Sequence, residues 1–260
     1  MATVIHHAIE EPGPCSYLPE RSSALEQKVL TDVTPEEYEA MMARGWRRFG
    51  PVYFRPACQA CSECVTLRIV TESFRPNRSQ RRAKAASARF RVEVGVPRVN
   101  DERLALYHAW HGWREEAREW NPSSLSERDY FLQFAFPHPC AREVAWYDDE
   151  AEGGPKLVAL GICDETPQAW SAVYFFFHPD YAHCSLGTAN IVKQVELAKE
   201  RGIPHVYLGY RVLGCASLRY KAAFRPHELL EGRPKPEESP QWKIAEDPGK
   251  DPSPGGRGTG

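Results

Sequence analysis

Residues 156–177 read KLVALGICDETPQAWSAVYFFF, a stretch in which a short polar connection joins two apolar runs. The runs KLVALGICD (156–164) and AWSAVYFFF (169–177) are rich in β-branched and aromatic residues, which favour strands. Only residues 165–168 separate them. A connection of that length predicts that the two strands form an antiparallel hairpin.

The segments on either side extend this pattern. EVAWY (143–147) predicts a third strand of the same meander, with a turn at Gly153-Gly154. Residues 186–201 predict a helix that ends at Gly202, and HVYLGY (205–210) predicts a buried strand after it. The order strand–strand–strand–helix–strand predicts an α/β (α+β) fold with an acetyltransferase-like C-terminal domain.

The turn before that helix, CSLGTA (184–189), partly matches the Arg/Gln-x-x-Gly-x-Gly/Ala pattern that acetyltransferases use for a coenzyme pyrophosphate. Cys184 stands where Arg or Gln is expected, which leaves room for a different phosphate-bearing donor. A helix N-terminus binds phosphate through its free backbone N–H groups. We therefore expect a phosphate on the backbone of Ser185, Gly187 and Thr188.

The composition is that of an ordinary soluble globular protein, with 42% hydrophobic and 26% charged residues among 260. The net charge of −2 means that a surface for a polyanion has to be local. No apolar run approaches the roughly 20 residues that a membrane span needs. The N-terminus, MATVIHHAIEEPGPC, lacks the cationic start and apolar stretch of a secretory signal. We therefore expect a cytoplasmic protein without a membrane partner.

The chain is expected to divide into three parts. Residues 1–98 would form a small N-terminal domain that carries a cysteine cluster and a basic stretch. Residues 99–232 would form the acetyltransferase-like domain. Residues 233–260 are rich in Pro, Gly and charge, which predicts a disordered tail.

Local signals place further elements within these parts. Thr34-Pro35-Glu36-Glu37 is a capping box with Pro at the first helical position, and Gly45 predicts the end of that helix. VTLRIV (65–70) alternates and predicts a strand. Apolar residues at helical spacing predict one helix from Asp101 to about Trp120, and a shorter one is expected over Glu127–Phe134.

The cysteine cluster lies in RPACQACSECVTLR (55–68), which contains Cys58, Cys61 and Cys64, and the isolated Cys15 supplies a fourth thiol. Four thiolates suit both tetrahedral zinc and a cubane iron–sulfur cluster, so the spacing does not choose the metal. The alternative is a set of unliganded thiols, which would be prone to oxidation.

Residues 75–91 contain seven Arg or Lys and no acid. Arg78, Arg81 and Arg82 lie in this stretch. A positive patch in a protein of negative net charge is typical of nucleic-acid binding, with a solvated charged face as the alternative.

Longer stretches of the sequence are more specific for a family than any of these short patterns. In the first half they are CSYLPERSSALEQ (15–27), TPEEYEAMMARGWRRFG (34–50), the cysteine cluster and FRPNRSQRRA (74–83). In the second half they are DETPQAWSAVYFFFHPDYAHCSLGT (164–188), VYLGYRV (206–212) and LRYKAAFRPHELL (218–230). Over about residues 13–230 the chain resembles the aminoacyl-tRNA–protein transferases, which comprise eukaryotic arginyltransferases and bacterial aspartate/glutamate leucyltransferases.

The resemblance implies an activity and its partners. Such enzymes move an amino acid from its tRNA to the α-amine of a protein whose first residue is acidic, which marks that protein for degradation as an N-degron. The acetyltransferase-like domain binds the aminoacyl end of the tRNA and not coenzyme A. The compact bacterial length favours leucine as the donor amino acid, with arginine as the alternative. A coenzyme-A acetyltransferase and a non-catalytic tRNA-binding metal module are further alternatives.

The resemblance also implies a metal site, and the chemistry of the implied reaction suggests further site residues. The family's iron–sulfur cluster or zinc would lie on Cys15, Cys58, Cys61 and Cys64, although Leu18 stands where eukaryotic members have a further thiol. For the aminolysis we expect a general base near Tyr207, with Asp164, Ser171 and Tyr174 as candidates and Lys221 stabilising the oxyanion. The acidic acceptor or the tRNA would be bound by arginines, of which the candidates are Arg48, Arg78, Arg81, Arg82 and Arg225.

Overall fold

Two β-sheets form the framework of this computed structural model, which describes residues 1–118 and 125–245. Trp120 and residues 246–260 of the expected tail lie outside the described residues. The strands, in chain order, are β1 (Thr3–Ile9), β2 (Gly13–Pro14), β3 (Ser22–Ser23), β4 (Leu25–Thr31), β5 (Arg47–Phe49), β6 (Val52–Pro56), β7 (Val65–Val70), β8 (Arg91–Gly95), β9 (Ala141–Asp148), β10 (Lys156–Glu165), β11 (Ala169–Phe177), β12 (His205–Arg211), β13 (His227–Leu230) and β14 (Trp242–Ile244).

The helices connect and cover these strands. In chain order they are α1 (Pro35–Ala43), α2 (Arg78–Ala86), α3 (Asp101–Arg118), α4 (Glu127–Tyr130), α5 (Leu186–Glu200) and α6 (Ala216–Arg219). A π-helical turn (Phe131–Ala135) continues α4, and short 3₁₀ helices cover Pro179–Cys184 and Tyr220–Ala223. The helices predicted from the sequence are thus confirmed within the described residues.

The larger sheet has the order β14-β13-β7-β12-β11-β10-β9-β8. β9, β10 and β11 form the predicted antiparallel meander. Helix α5 then crosses over to β12, which lies parallel to β11. A parallel pair needs such a crossover, because its second strand must start at the same edge as its first. The predicted order of elements is therefore confirmed.

Helices cover both faces of this sheet, and the alternation along β9 shows how. Val144 and Trp146 pack into one core with α2 and α5, whereas Ala145 and Tyr147 pack into a second core with α3 and the π-helical turn. Successive strand residues point to opposite faces, so one strand serves both cores. This layering confirms the predicted α/β (α+β) fold class.

The smaller sheet has the order β1-β4-β6-β5, and α1 belongs to its core. The capping box predicted at Thr34 is present, since the Thr34 hydroxyl accepts the Glu37 N–H and the Glu37 carboxylate accepts the Thr34 N–H. The helix ends as predicted at Gly45, whose φ of 88° suits glycine. Tyr38 of α1 and Tyr207 of β12 lie in one core, which joins the two sheets.

The expected domain boundary at residue 98 does not separate the sheets. β7 and β8 both precede it, yet both are strands of the larger sheet. Leu67 and Ile69 of β7 are fully buried in the core beneath α5. β7 lies between β12 and β13, so the first hundred residues contribute to the core that the sequence assigned to the second domain.

The tail expected to be disordered from residue 233 is ordered over 233–245. β14 pairs with β13, and the Trp242 ring packs 5.6 Å from that of Tyr207. Two arginines fix the segment by hydrogen bonds to backbone carbonyls. Arg55 donates to the Pro234 carbonyl at 2.9 Å, and Arg233, which lies in the segment, donates to the Cys58 carbonyl at 2.6 Å. Disorder was predicted from the low apolar content of this segment, but hydrogen bonds of this kind do not require apolar residues.

No helix in the described parts of the chain has the length and apolar character that crossing a bilayer requires.

His138 is expected to make the fold sensitive to acid. Its Nδ1 accepts the Cys140 N–H at 3.1 Å, and its Nε2 lies 2.9 Å from the Tyr53 hydroxyl. Burial, followed by the charge of Arg48, lowers the pKa of His138 to about 3. Since this pKa is depressed in the folded state, the unfolded chain binds the proton first as the pH falls below about 6.5.

We therefore expect stability to fall between about pH 6.5 and pH 3, with His138 contributing at most about 1.4 kcal/mol per pH unit. Asn at this position keeps an acceptor but does not titrate. Urea unfolding of wild type and His138→Asn from pH 7 downwards measures the effect. Parallel pH profiles for the two proteins would show that His138 does not cause the acid sensitivity.

Candidate active site

A cleft opens in the larger sheet where β11 and β12 stop pairing. The two parallel strands are in register only from Ala169 opposite His205 to Ser171 opposite Tyr207. The next residues of each strand, Ala172 and Leu208, line a cavity of about 530 Å³. The cavity is therefore a direct result of strand divergence at the carboxyl end of a parallel pair, where open α/β sheets place their ligands.

Three further elements close the cavity, and they give it an aromatic wall. α3 contributes Trp110, the N-terminal half of α5 contributes Gly187 and Asn190, and the segment from α6 onwards contributes Tyr220 and Lys221. The aromatic residues in the lining are Trp110, Tyr174, Phe175, Phe177 and Tyr220. A wall of this kind suits an apolar side chain and the flat face of a base.

The charged residues of the lining are Arg114 and Lys221, and no described residue of the lining is Asp or Glu. The Lys221 ammonium donates to the Tyr210 carbonyl at 3.1 Å. Burial, followed by the charge of Arg47, lowers the pKa of Lys221 to about 8. Since both charged lining residues are basic, the cavity suits an anion better than a cation.

Tyr174 lines the cavity, and its hydroxyl lies 3.0 Å from His111 Nε2. Its ring stacks on Phe134, with the centroids 5.2 Å apart, which fixes its orientation. Burial raises the pKa of Tyr174 to about 12, so the hydroxyl is protonated at neutral pH and can donate a hydrogen bond.

Of the five predicted catalytic residues, Tyr174 and Lys221 line the cavity, whereas Asp164, Ser171 and Tyr207 do not. Asp164 is 1% exposed, forms an ion pair with Arg48 and accepts the Tyr38 hydroxyl at 2.8 Å. A carboxylate enclosed in this way cannot reach a substrate amine.

The other two residues are also enclosed. Ser171 is fully buried, and its hydroxyl has no hydrogen-bond partner among residues 1–118 and 125–245. The Tyr207 hydroxyl accepts Arg68 Nη1 at 3.2 Å. The expected base near Tyr207 is therefore not found in the positions assigned to it.

The predicted binding residues are spread over several places. Gly187 lines the cavity, whereas Ser185 is an exposed left-handed residue that precedes α5, and Thr188 follows Gly187 in the helix. Arg48 is committed to Asp164 in the interior. Arg225 donates to the Ala245 carbonyl at 3.1 Å. The arginines on α2, at the surface, are Arg78, Arg81 and Arg82.

Arg47 is a candidate that sequence reasoning passed over in favour of Arg48. The two are consecutive residues of β5, so their side chains leave the strand on opposite faces. Arg48 points to Asp164, whereas the Arg47 guanidinium lies 5.1 Å from the Tyr207 ring and 5.8 Å from the Tyr210 ring.

The two tyrosines approach the same guanidinium because a bulge at Gly209 interrupts the alternation of β12. Their odd spacing alone predicts opposite faces for the rings. The φ of 76° at Gly209 is one that glycine adopts without strain.

The cysteine cluster gathers the predicted thiols without arranging them as ligands. Burial, followed by the neighbouring thiols Cys58, Cys15 and Cys61, raises the pKa of Cys64 to about 12. Arg21 donates to the Cys61 sulfur at 3.4 Å. Four thiols are a suitable donor set for zinc or an iron–sulfur cluster. In the described parts of the chain, however, no three His, Cys, Asp or Glu side chains are grouped so that they could hold a metal ion.

Comparison with known proteins assigns the chain to a family. The aspartate/glutamate leucyltransferase of Campylobacter jejuni strain 81-176 is 33% identical over 225 residues, which is 84% of this chain and 90% of the relative. That of Halorhodospira halophila is 34% identical over 220 residues, with 84% and 91% covered. Among solved structures, FemX matches with a TM-score of 0.43 at 7% identity, over 72% of this chain and 63% of that one.

Family models cover most of the chain. Residues 13–82 match the N terminus of the arginine-tRNA-protein transferases, and residues 102–231 match their C terminus. The resemblance read from the sequence is thereby confirmed, and the chain belongs to the arginine-tRNA-protein transferase family.

Proposed function

We propose that this protein transfers leucine from leucyl-tRNA to the α-amine of proteins whose first residue is Asp or Glu. The names of its bacterial relatives support the reaction class and the donor. The observation that carries the choice of leucine is the lining of the cavity, which is aromatic and positive and has no carboxylate among its described residues. Leucine gains by burial against such a wall.

The same lining disfavours arginine as the donor amino acid. A guanidinium that enters a cavity needs a carboxylate partner to offset its desolvation. The charged residues that line this cavity, Arg114 and Lys221, are both basic and offer no such partner. Arginyl transfer, the alternative, would need an acid that the described lining does not provide.

The chemistry is aminolysis of an ester. The neutral α-amine attacks the carbonyl carbon of the leucyl ester, the bond to the ribose oxygen of the tRNA breaks, and the amine proton passes to that oxygen. An α-amine with a pKa near 8 is partly neutral at pH 7, so alignment of the partners is the main requirement. Tyr174 and Lys221 both line the cavity and carry hydrogen-bond donors, and we assign the stabilisation of the oxyanion to them.

The exposed face of α2 is suited to the body of the tRNA. Arg78, Arg81 and Arg82 are exposed on it, and α2 packs against α5, whose N-terminal half lines the cavity. Lysines and arginines at such a surface bind phosphates without reading sequence.

Because the donor is a tRNA, the reaction belongs in the cytoplasm, and the extended proteins become substrates for degradation.

We expect the combined replacement of Arg78, Arg81 and Arg82 by Gln to weaken the binding of leucyl-tRNA. Each phosphate that the variant no longer binds should reduce the slope of log affinity against log salt by about 1. Fluorescence anisotropy over a salt series measures this slope. Arg98→Gln, which removes an exposed arginine outside α2, serves as the control. A slope that stays at the wild-type value would exclude the α2 face from the tRNA site.

The donor set of Cys15, Cys58, Cys61 and Cys64 supports a structural metal, zinc or an iron–sulfur cluster, bound after a rearrangement of their loops. We expect protein purified without oxygen to contain one zinc ion or one cluster per chain, and the four-fold Cys→Ser variant to contain none. Elemental analysis together with sulfide determination decides between the metals. Wild-type protein that contains no more metal than the four-fold Cys→Ser variant would refute the metal site.

The function is tested with two donors. Leucyl-tRNA or arginyl-tRNA is incubated with the protein and a peptide that begins with Asp, and the product is analysed by mass spectrometry. We expect extension by leucine only. Extension from arginyl-tRNA alone would overturn the donor assignment, and no extension from either donor would overturn the proposed function.

A further inference from the structure

Arg47 is buried yet has most of its hydrogen-bonding capacity unused. It is 6% exposed. Its Nη1 donates to the Trp46 carbonyl at 2.6 Å, whereas Nε and Nη2 have no hydrogen-bond partner in the described part of the chain. A buried cation with unsatisfied donors is unfavourable unless something compensates it. The rings of Tyr207 and Tyr210 compensate it in part.

The unused donors are the pair that recognises a planar anion. Nε–H and one N–H of Nη2 lie along one edge of the guanidinium and point in the same direction, which matches the two oxygens of a carboxylate. The remaining nitrogen is already held by the backbone. The guanidinium is thus fixed at one nitrogen, and the donors of its bidentate edge are buried and unpaired among the described residues.

A second cation lies beside it, at a gap in the side-chain packing. A Cβ placed on Gly209 would be 3.9 Å from Arg47 Nε and 3.6 Å from Lys221 Nζ. Because Gly209 has no side chain, a space the size of a methyl group is left beside both cations. Lys221 is also part of the lining of the cavity in which we place the transfer reaction, and it therefore connects that cavity to Arg47.

We propose that Arg47, next to Lys221, binds the side-chain carboxylate of the acceptor's first residue and so determines that the acceptor is acidic. This inference rests on the proposed function. A single carboxylate on a short side chain can reach a nitrogen that is almost fully buried, whereas the phosphates of a tRNA suit the exposed arginines of α2. Arg47 thus has the role that was predicted for Arg48, whose guanidinium is already paired with the Asp164 carboxylate.

The test compares two peptides that differ only in their first residue, Asp or Asn. We expect Arg47→Met to lower kcat/KM for the Asp peptide by about 100-fold, as for the loss of one partner of a buried charge pair. The kcat/KM for the Asn peptide should fall much less, and the KM for leucyl-tRNA should stay at the wild-type value. Arg47→Lys keeps the charge without the bidentate edge, so we expect a smaller loss. Arg91→Met, which removes an exposed arginine paired with Asp149, is the control.

Other outcomes overturn the proposal. Equal losses for both peptides would give Arg47 a purely structural role, and a raised KM for leucyl-tRNA would assign it to the donor. If wild type transfers leucine to neither peptide, the proposed function fails, and calorimetry still tests the site. Wild type must then bind the Asp peptide more tightly than the Asn peptide, and Arg47→Met must abolish the difference. Thermal unfolding checks that each variant is folded. If Arg47→Met does not fold, Arg47→Lys is used in its place.

Discussion

Asp164→Ala is expected to lower the free energy of unfolding by about 3–5 kcal/mol, the cost of removing one partner from a buried ion pair. Arg48 and Asp164 are 6% and 1% exposed, so neither charge is solvated once the other is gone. Tyr38 would also lose the acceptor of its hydroxyl, which lies 2.8 Å from Asp164. The pair joins β5 of the smaller sheet to β10 of the larger one, so its loss should weaken their association.

Urea unfolding followed by circular dichroism measures this effect. Asp149→Ala is the matched control, since it also removes the carboxylate of an arginine pair, but both Arg91 and Asp149 are exposed. We expect it to leave stability nearly unchanged. The double replacement Arg48→Met with Asp164→Leu should recover much of the loss, because no unpaired charge remains buried. A fully stable Asp164→Ala variant with impaired transfer would instead return Asp164 to the catalytic role that the sequence suggested.

Gly187→Leu is expected to lower kcat/KM for leucine transfer by at least about 100-fold, since displacement of a reacting group by as little as about 1 Å can cost that much. Gly187 lies in the first turn of α5 and lines the cavity. Among the described residues, the atoms within 4 Å of a Cβ on this residue belong to the Phe175 ring, the nearest at 3.8 Å, so the backbone tolerates a side chain. A longer side chain would occupy the cavity or push Phe175 into it.

Gly187→Ala provides the control for this experiment. Its methyl group fits at van der Waals distance, and alanine favours a helix over glycine by up to about 1 kcal/mol. We expect the alanine variant to transfer leucine at nearly the wild-type rate with equal or greater stability. Steady-state rates with leucyl-tRNA and an Asp peptide compare the two variants. Equal activity of Gly187→Leu and Gly187→Ala would show that the reaction takes place elsewhere.

The larger sheet was predictable because its signals are local. The hairpin of residues 156–177 and helix α5 follow from periodicity and turn chemistry, which act over a few residues. Gly187 could be placed at the site for the same reason, since a helix start is visible in the sequence. Residues 15–230 also contain strings that are long enough to indicate the family by themselves.

The candidate site was less predictable because it depends on distant contacts. Asp164 follows the apolar run of β10, and its sequence neighbours do not reveal that Arg48, 116 residues away, pairs with it. The choice between Arg47 and Arg48 depends on which face of β5 meets β12. Residues 233–245 are ordered by contacts with arginines that are distant in sequence, such as Arg55, which is 179 residues from its partner Pro234.

The sequence of the transfer product tests the central claim most directly. Leucyl-tRNA, the protein and a peptide that begins with Asp are incubated, and tandem mass spectrometry locates the added leucine. The same peptide with an acetylated α-amine is the control. We predict leucine in amide linkage to the α-amine of Asp and no addition to the acetylated peptide. Unmodified Asp peptide after incubation with folded, tRNA-binding protein would contradict the account.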